Sequence, residues 1–136
     1  MKAQIDENLP RSLARAVHAI AQLDDDEVVH VRDLVDSGTK DVELFELAAK
    51  AGIEAHVTQD HHQRRAAERE AVARLGLTVF VLSKGWRQLN HYDRAARLLE
   101  WWPKMRQLVR LTSRGSIYSI PHLRASSGRI RPIKPS

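Results

Sequence analysis

Cysteine is missing from all 136 residues. That removes disulfides, thiolate nucleophiles and cysteine-held zinc or iron–sulfur sites from consideration. No apolar run approaches the ~18 residues that a membrane-spanning helix needs. Asp6 and Glu7 occupy the place where a secretory leader would carry its apolar region, so a cytoplasmic location and no membrane partner are expected. Acid is also missing from residues 101–136. All 17 carboxylates fall within residues 1–100, against 14 Lys and Arg there, a balance of −3; residues 101–136 hold eight Lys and Arg, a balance of +8. A basic end on a mildly acidic body suits a polyanionic or acidic partner, or is simply solvated.

What is present is ordinary for a globular protein: 43% hydrophobic and 29% charged residues, enough for one domain with a real core. Residues 2–6 read as a buried strand that stops in acid at Asp6-Glu7-Asn8, with an amphipathic helix over 11–22 after Pro10. A strand over 27–31 follows, then a connection, then a helix over 42–51 opened by Asp41, with Leu44, Leu47, Ala48 and Ala51 as its buried stripe. A third strand over 53–58 again ends in acid, at Asp60. Residues 61–75 read as a helix with Ala67, Ala71 and Leu75 inward and Glu68 exposed. Residues 77–82 form a near-continuous apolar strand. A long helix is expected over 88–111, broken or bent at Pro103, with Leu89, Tyr92, Ala96, Leu99 and Trp102 on one stripe. Residues 117–120 suit a short edge strand. The division expected is a domain over 1–112 and a basic, partly extended tail over 113–136.

Alternating strands and helices imply a parallel sheet with right-handed crossovers. The order 2-1-3-4 sets the first and third strands side by side at the topological switch point, where open α/β sheets bind ligands. Asp6 and Asp60 then lie together at one sheet edge, with Asp41 at a helix start nearby and Glu7 as an adjoining fourth acid. Oxygen-only ligands of this kind suit Mg²⁺ or Mn²⁺, which can polarise a phosphoryl oxygen for in-line attack. Each acid also has a plainer reading: Asp41 as a helix cap, Asp6 and Asp60 as strand-end turn residues, Glu7 as a solvated neighbour. Asn8 is suited to orient a ligand. Arg11, His61, Arg64 and Arg65, with Arg15, Arg32 and Lys84, are candidates to hold a phosphate backbone. Trp86, Trp101 and Trp102 suit base stacking or, more simply, packing.

Ile5-Asp6-Glu7-Asn8-Leu9-Pro10, the run from Val28 to Leu34, Asp41 opening a helix, and Val57-Thr58-Gln59-Asp60 together resemble the compact PIN-like nucleases, relatives of the VapC toxins of bacterial toxin–antitoxin pairs. The resemblance spans roughly residues 1–85. It implies a small three-layer α/β sandwich with a four-stranded parallel sheet and a C-terminal helical extension. It also implies a Mg²⁺- or Mn²⁺-dependent endonuclease of single-stranded RNA. The catalytic, metal-holding acids would be Asp6, Asp41 and Asp60, and the partners RNA and a cognate antitoxin; the basic tail could serve either of these or a homodimer. In similar proteins a further acid often follows the Thr-x-Asp motif by two residues. Here that position is His62, so Glu7, Glu43 or an acid of the following helix would have to substitute. Two other readings stand beside this one. A receiver-like phosphoacceptor module would use Asp6/Glu7, Asp60 and Lys84, although four strands rather than five argue against it. A catalytically inactive PIN-like fold would only bind RNA or protein.

Overall fold

The structure, a computed structural model, describes residues 1–60, 66–112 and 115–133. Its framework is a row of parallel strands: β1 (Lys2–Ile5), β2 (Glu27–His30), β3 (Ala55–Thr58), β4 (Thr78–Leu82) and β5 (Ile117–Ile120). A two-residue strand, β6 (Arg131–Pro132), runs antiparallel to β5. The sheet order is β2-β1-β3-β4-β5-β6. The 2-1-3-4 order read from the sequence is present, and two more strands extend it. Residues 117–120 therefore form an interior strand rather than an edge, because β6 pairs with their outer side.

Alternation along the strands sorts the core into two layers. In β4, Phe80 and Leu82 face one side while Val79 and Val81 face the other. The first side is covered by helix α1 (Arg11–Ala21) and helix α4 (His91–Leu111), through Leu13, Val17, Leu98, Trp101, Trp102 and Met105. The second is covered by helix α2 (Asp41–Lys50) and helix α3 (Ala66–Leu75), through Leu44, Phe45, Ala48, Ala71 and Val72. The result is a three-layer α/β sandwich.

Three helical stripes differ from the expectation. In α2 the fully buried residue is Phe45, while Leu47 is 40% exposed. In α3 Glu68 is buried and Ala67 is exposed, because the helix is rotated so that Glu68, Ala71 and Val72 share the inner face. In α4 Tyr92 and Ala96 are exposed, and the inner face is Leu98, Trp101, Trp102 and Met105. A short 3-10 turn over Lys84–Gln88 precedes that helix, which starts at His91 on an Asn90 cap whose side chain accepts from Asp93 N. The helix runs on through Pro103 as one element. Pro103 lacks an N–H, so the helix forgoes the bond that residue would give to Leu99. The bulk of Trp101, Trp102 and Met105 packed below it holds the helix in place.

All three tryptophans serve packing. Trp86 and Trp101 are fully buried and Trp102 nearly so. Their indole N–H groups donate to Ile120 O, Leu123 O and the Asp26 carboxylate. Asp26 is also paired with Arg106, and Asp24 accepts from Arg106 through its carbonyl. The Asp24–Asp26 run thus anchors α4 against the β2 side of the molecule. Among the described residues, no helix is long and apolar enough to cross a membrane.

Candidate active site

Two polar ladders meet on the α2/α3 face of the sheet. β1 and β3 pair in parallel with Gln4 opposite His56. Period-2 alternation therefore puts Gln4 and Asp6 on one face with His56 and Thr58, while Ala3, Ile5, Ala55 and Val57 point to the opposite core. Gln4, His56 and Thr58 are almost wholly buried. Buried polar groups are stable only when bonded, and these are bonded chiefly to one another and to Asp6.

Thr58 is the hub. Its hydroxyl donates to Asp6 Oδ2 at 2.6 Å and accepts from the backbone N–H of Asp60 at 2.9 Å and from Asn8 Nδ2 at 3.1 Å. Asn8 Oδ1 accepts in turn from Gln59 N. The loops after β1 and β3 are thereby stitched together at the carboxyl ends of two adjacent strands. Asp6 Oδ1 accepts from Glu7 N at 2.8 Å, and Asp6 O accepts from Leu9 N, which closes a tight turn. Below, His56 Nε2 lies 3.7 Å from Asp6 Oδ2.

The Asp6 side chain is 13% exposed. Burial pushes its pKa up, but the His56 contact, the Thr58 hydroxyl and the Glu7 N–H outweigh this and hold it down at about 2. Asp6 is therefore an oriented, ionised carboxylate at neutral pH.

Around this pair the other expected residues take definite places. Glu7 is exposed and paired with Arg32, Oε2 to Nε at 3.3 Å. Arg11 pairs with Asp33 at 3.3 Å and reaches the carbonyl of Arg32. Both side chains thus tie the first loop to the 3-10 turn Val31–Asp33. His30, buried at the end of β2, accepts from Arg32 N at Nδ1 and bonds Leu9 O at 2.7 Å, which fixes the same loop from beneath. Asn8 spends its side chain as a bridge between loops. Asp41, half-buried, is the first residue of α2, one turn before Phe45, whose ring meets His56 edge-on at 5.2 Å. His61, His62, Arg64 and Arg65 lie outside the described residues. Asp6 and Asp60 are joined through Thr58, and no bond among the described residues ties Asp41 to them.

Among the described residues no three His, Cys, Asp or Glu side chains converge closely enough to hold a metal by themselves. The donors present are nevertheless hard oxygens: an ionised Asp6, a half-buried Asp60 whose backbone N–H bonds the same hydroxyl, and no thiol. Mg²⁺ keeps several waters and needs only one or two protein carboxylates, so this donor set fits a largely hydrated divalent ion.

Two contributors escaped the reading of the sequence, His56 and Gln4. Their signal was available: Gln4/Asp6 and His56/Thr58 repeat polar residues at a two-residue spacing inside otherwise apolar strands. Its meaning depends on β1 and β3 being neighbours.

A family model described as "PIN like domain" matches residues 1–84. No curated protein and no solved structure matches the chain.

Proposed function

The chain belongs to the PIN-like domain family, and from that premise we propose that it is a Mg²⁺- or Mn²⁺-dependent endoribonuclease of single-stranded RNA, acting as the toxin of a toxin–antitoxin pair. PIN-like domains are typically nucleases. The observation that carries the reading is the Asp6–Thr58–Asp60 junction at the carboxyl ends of β1 and β3. It lies at the switch point where an α/β sheet binds ligands.

Asp41 belongs to the same reading. α2 packs on the face that carries His56, with Phe45 against the ring. As a crossover helix between parallel strands it runs antiparallel to them. One helical turn from Phe45 back to Asp41 rises about 6 Å. Two strand residues from His56 on to Thr58 rise about 6.6 Å. These steps favour Asp41 at the level of Asp6 and Asp60. Asp6 and Asp60 would hold a largely hydrated ion, with Asp41 facing it through water and Glu7 held off by Arg32 as a reserve ligand. When bound, the ion neutralises these acids and polarises a phosphoryl oxygen. The protein keeps Asp6 ionised and fixed in direction, and keeps the two loops in register through Asn8. Water adds across the P–O bond, and the proton ends on the leaving ribose oxygen. Lys84, after β4, and the basic end of the chain suit the RNA backbone or an acidic antitoxin.

The receiver-like reading needs one revision. β1 to β5 make five parallel strands, so strand count no longer separates the two. One assay decides. The protein is incubated with single-stranded RNA and Mn²⁺, with and without EDTA, beside Asp6→Asn. Cleavage that needs the ion and is lost in the variant is expected. Absence of cleavage, with acetyl phosphate phosphorylating Asp60, would sink the nuclease. Co-purification from its host should yield a small inhibitory partner, and isolation of a fully active, nontoxic protein on its own would count against the toxin role.

A further inference from the structure

We propose that His56 is a positioning residue for the ion-binding carboxylate: with Thr58 it faces Oδ2 of Asp6 and holds that carboxylate in one orientation. The inference rests on the nuclease reading above and says how that site is aimed.

His56 is 1% exposed on the central strand β3, so its ring nitrogens must find partners within the protein. Nδ1 lies 2.8 Å from Gln4 Nε2. An amide NH₂ only donates, so in this arrangement Nδ1 accepts and Nε2 carries the ring proton. That nitrogen is the one 3.7 Å from Asp6 Oδ2. The separation makes it an electrostatic contact rather than a short hydrogen bond. In a dry setting an oriented N–H still acts strongly on a carboxylate. Phe45, edge-on at 81°, fixes the plane of the ring.

The lone pairs of Asp6 can then be assigned. A carboxylate offers about four acceptor directions, two on each oxygen. Oδ2 is engaged by the Thr58 hydroxyl at 2.6 Å and faces the His56 Nε2–H. Oδ1 takes the Glu7 N–H at 2.8 Å and keeps one direction open. The orientation of Asp6 is thus held directly by Thr58 and Glu7 and backed from beneath by the chain Gln4–His56. Outer-shell partners of this kind commonly change metal affinity by about 10–100-fold when removed.

The test uses the full chain. Long-range ¹H–¹⁵N spectra of the metal-free protein should show His56 with Nε2 protonated and Nδ1 bare. Mn²⁺ binding, followed by electron paramagnetic resonance together with thermal unfolding, should weaken about tenfold or more in His56→Leu. It should stay within about threefold in His56→Gln, whose amide can present a donor close to the Nε2 position. Gln4→Leu, which frees Nδ1, should mix the two tautomers and lose affinity to an intermediate degree; it carries the test if His56→Leu does not fold. A ring protonated on Nδ1 instead, or Mn²⁺ bound equally well by His56→Leu or Gln4→Leu and the native chain, overturns the positioning role and leaves the nuclease reading standing. A native chain that binds no Mn²⁺ while showing the Nε2–H tautomer overturns the ion-dependent reading itself, and the positioning role with it.

Discussion

Thr58 Oγ1 stands 2.6 Å from Asp6 Oδ2 and 2.9 Å from the backbone nitrogen of Asp60, so one buried hydroxyl serves both acidic loops. Its two other contacts, Asp60 N and Asn8 Nδ2, are nitrogens that only donate, which commits its single proton to Asp6. Thr58→Val removes that proton without changing side-chain volume much. The Asp6 pKa should then rise from about 2 toward the ordinary carboxylate range. Stability at pH 7 should fall by about 2 kcal/mol, the usual worth of a bond to a charged group. Carboxyl-carbon NMR titration and urea unfolding read the two effects. An unchanged Asp6 titration would show that the hydroxyl is not what holds the carboxylate ionised.

The same lowered pKa sets a pH dependence. A carboxyl held at about 2 in the folded chain, against 3.8 when unperturbed, contributes stability that is fully present above pH 3.8 and is lost as pH falls through 2. The contribution is on the order of 2 kcal/mol. Unfolding free energies of the native chain and Asp6→Asn, measured from pH 7 down to pH 2, should therefore converge as the acid end is approached. A difference that stays constant over that range would be incompatible with an ionised, paired Asp6.

Asn8 joins the first loop to the third, with Nδ2 on Thr58 Oγ1 and Oδ1 on Gln59 N. It is exposed, so Asn8→Ala should change thermal stability little, by about 1 kcal/mol or less. Mn²⁺ affinity should drop by about tenfold as the loops lose register. Calorimetric titration with Mn²⁺ beside a melting curve separates the two. A large loss of stability with affinity intact would make Asn8 a fold residue only.

Gly115 carries φ +83°, and a Cβ there would lie 2.5 Å from the Cα of Ala73 in α3. Both the backbone conformation and the close approach exclude a side chain. Gly115→Ala should destabilise the protein by about 1–3 kcal/mol by straining the entry to β5. Denaturant unfolding measures this, and a variant as stable as the native chain would mean that β5 enters the sheet along another path.

How far the sequence could be read depended on the range of the information. Asp6 and Asp60 were legible as acids closing apolar runs, and the parallel sheet followed from the alternation of elements. Where periodicity was weak, local pattern failed. The α3 segment has few large apolar residues, so Ala67 and Glu68 competed for the inner face and tertiary packing chose Glu68. In α4, Tyr92 fell on a plausible stripe, but the tryptophan pair and Met105 set the rotation of the helix. Ile117–Ile120 was legible as a short strand but its interior place was not, because β6 lies in an Arg- and Pro-rich stretch that reads as a strand only when a neighbour is ready to pair with it.

By itself the sequence determined the alternation of strands and helices and the acids that close β1 and β3, because apolar runs and acid placement are local properties of the chain. Only the tertiary structure decided what surrounds Asp6. Gln4 and His56 lie 52 residues apart and meet because β1 pairs with β3, Thr58 reaches the first loop for the same reason, and Glu7 is drawn aside by Arg32 from the end of another strand. Charge state and aim of a carboxylate are set by neighbours within a few ångströms, and those neighbours come from chain crossings rather than from spacing along the chain.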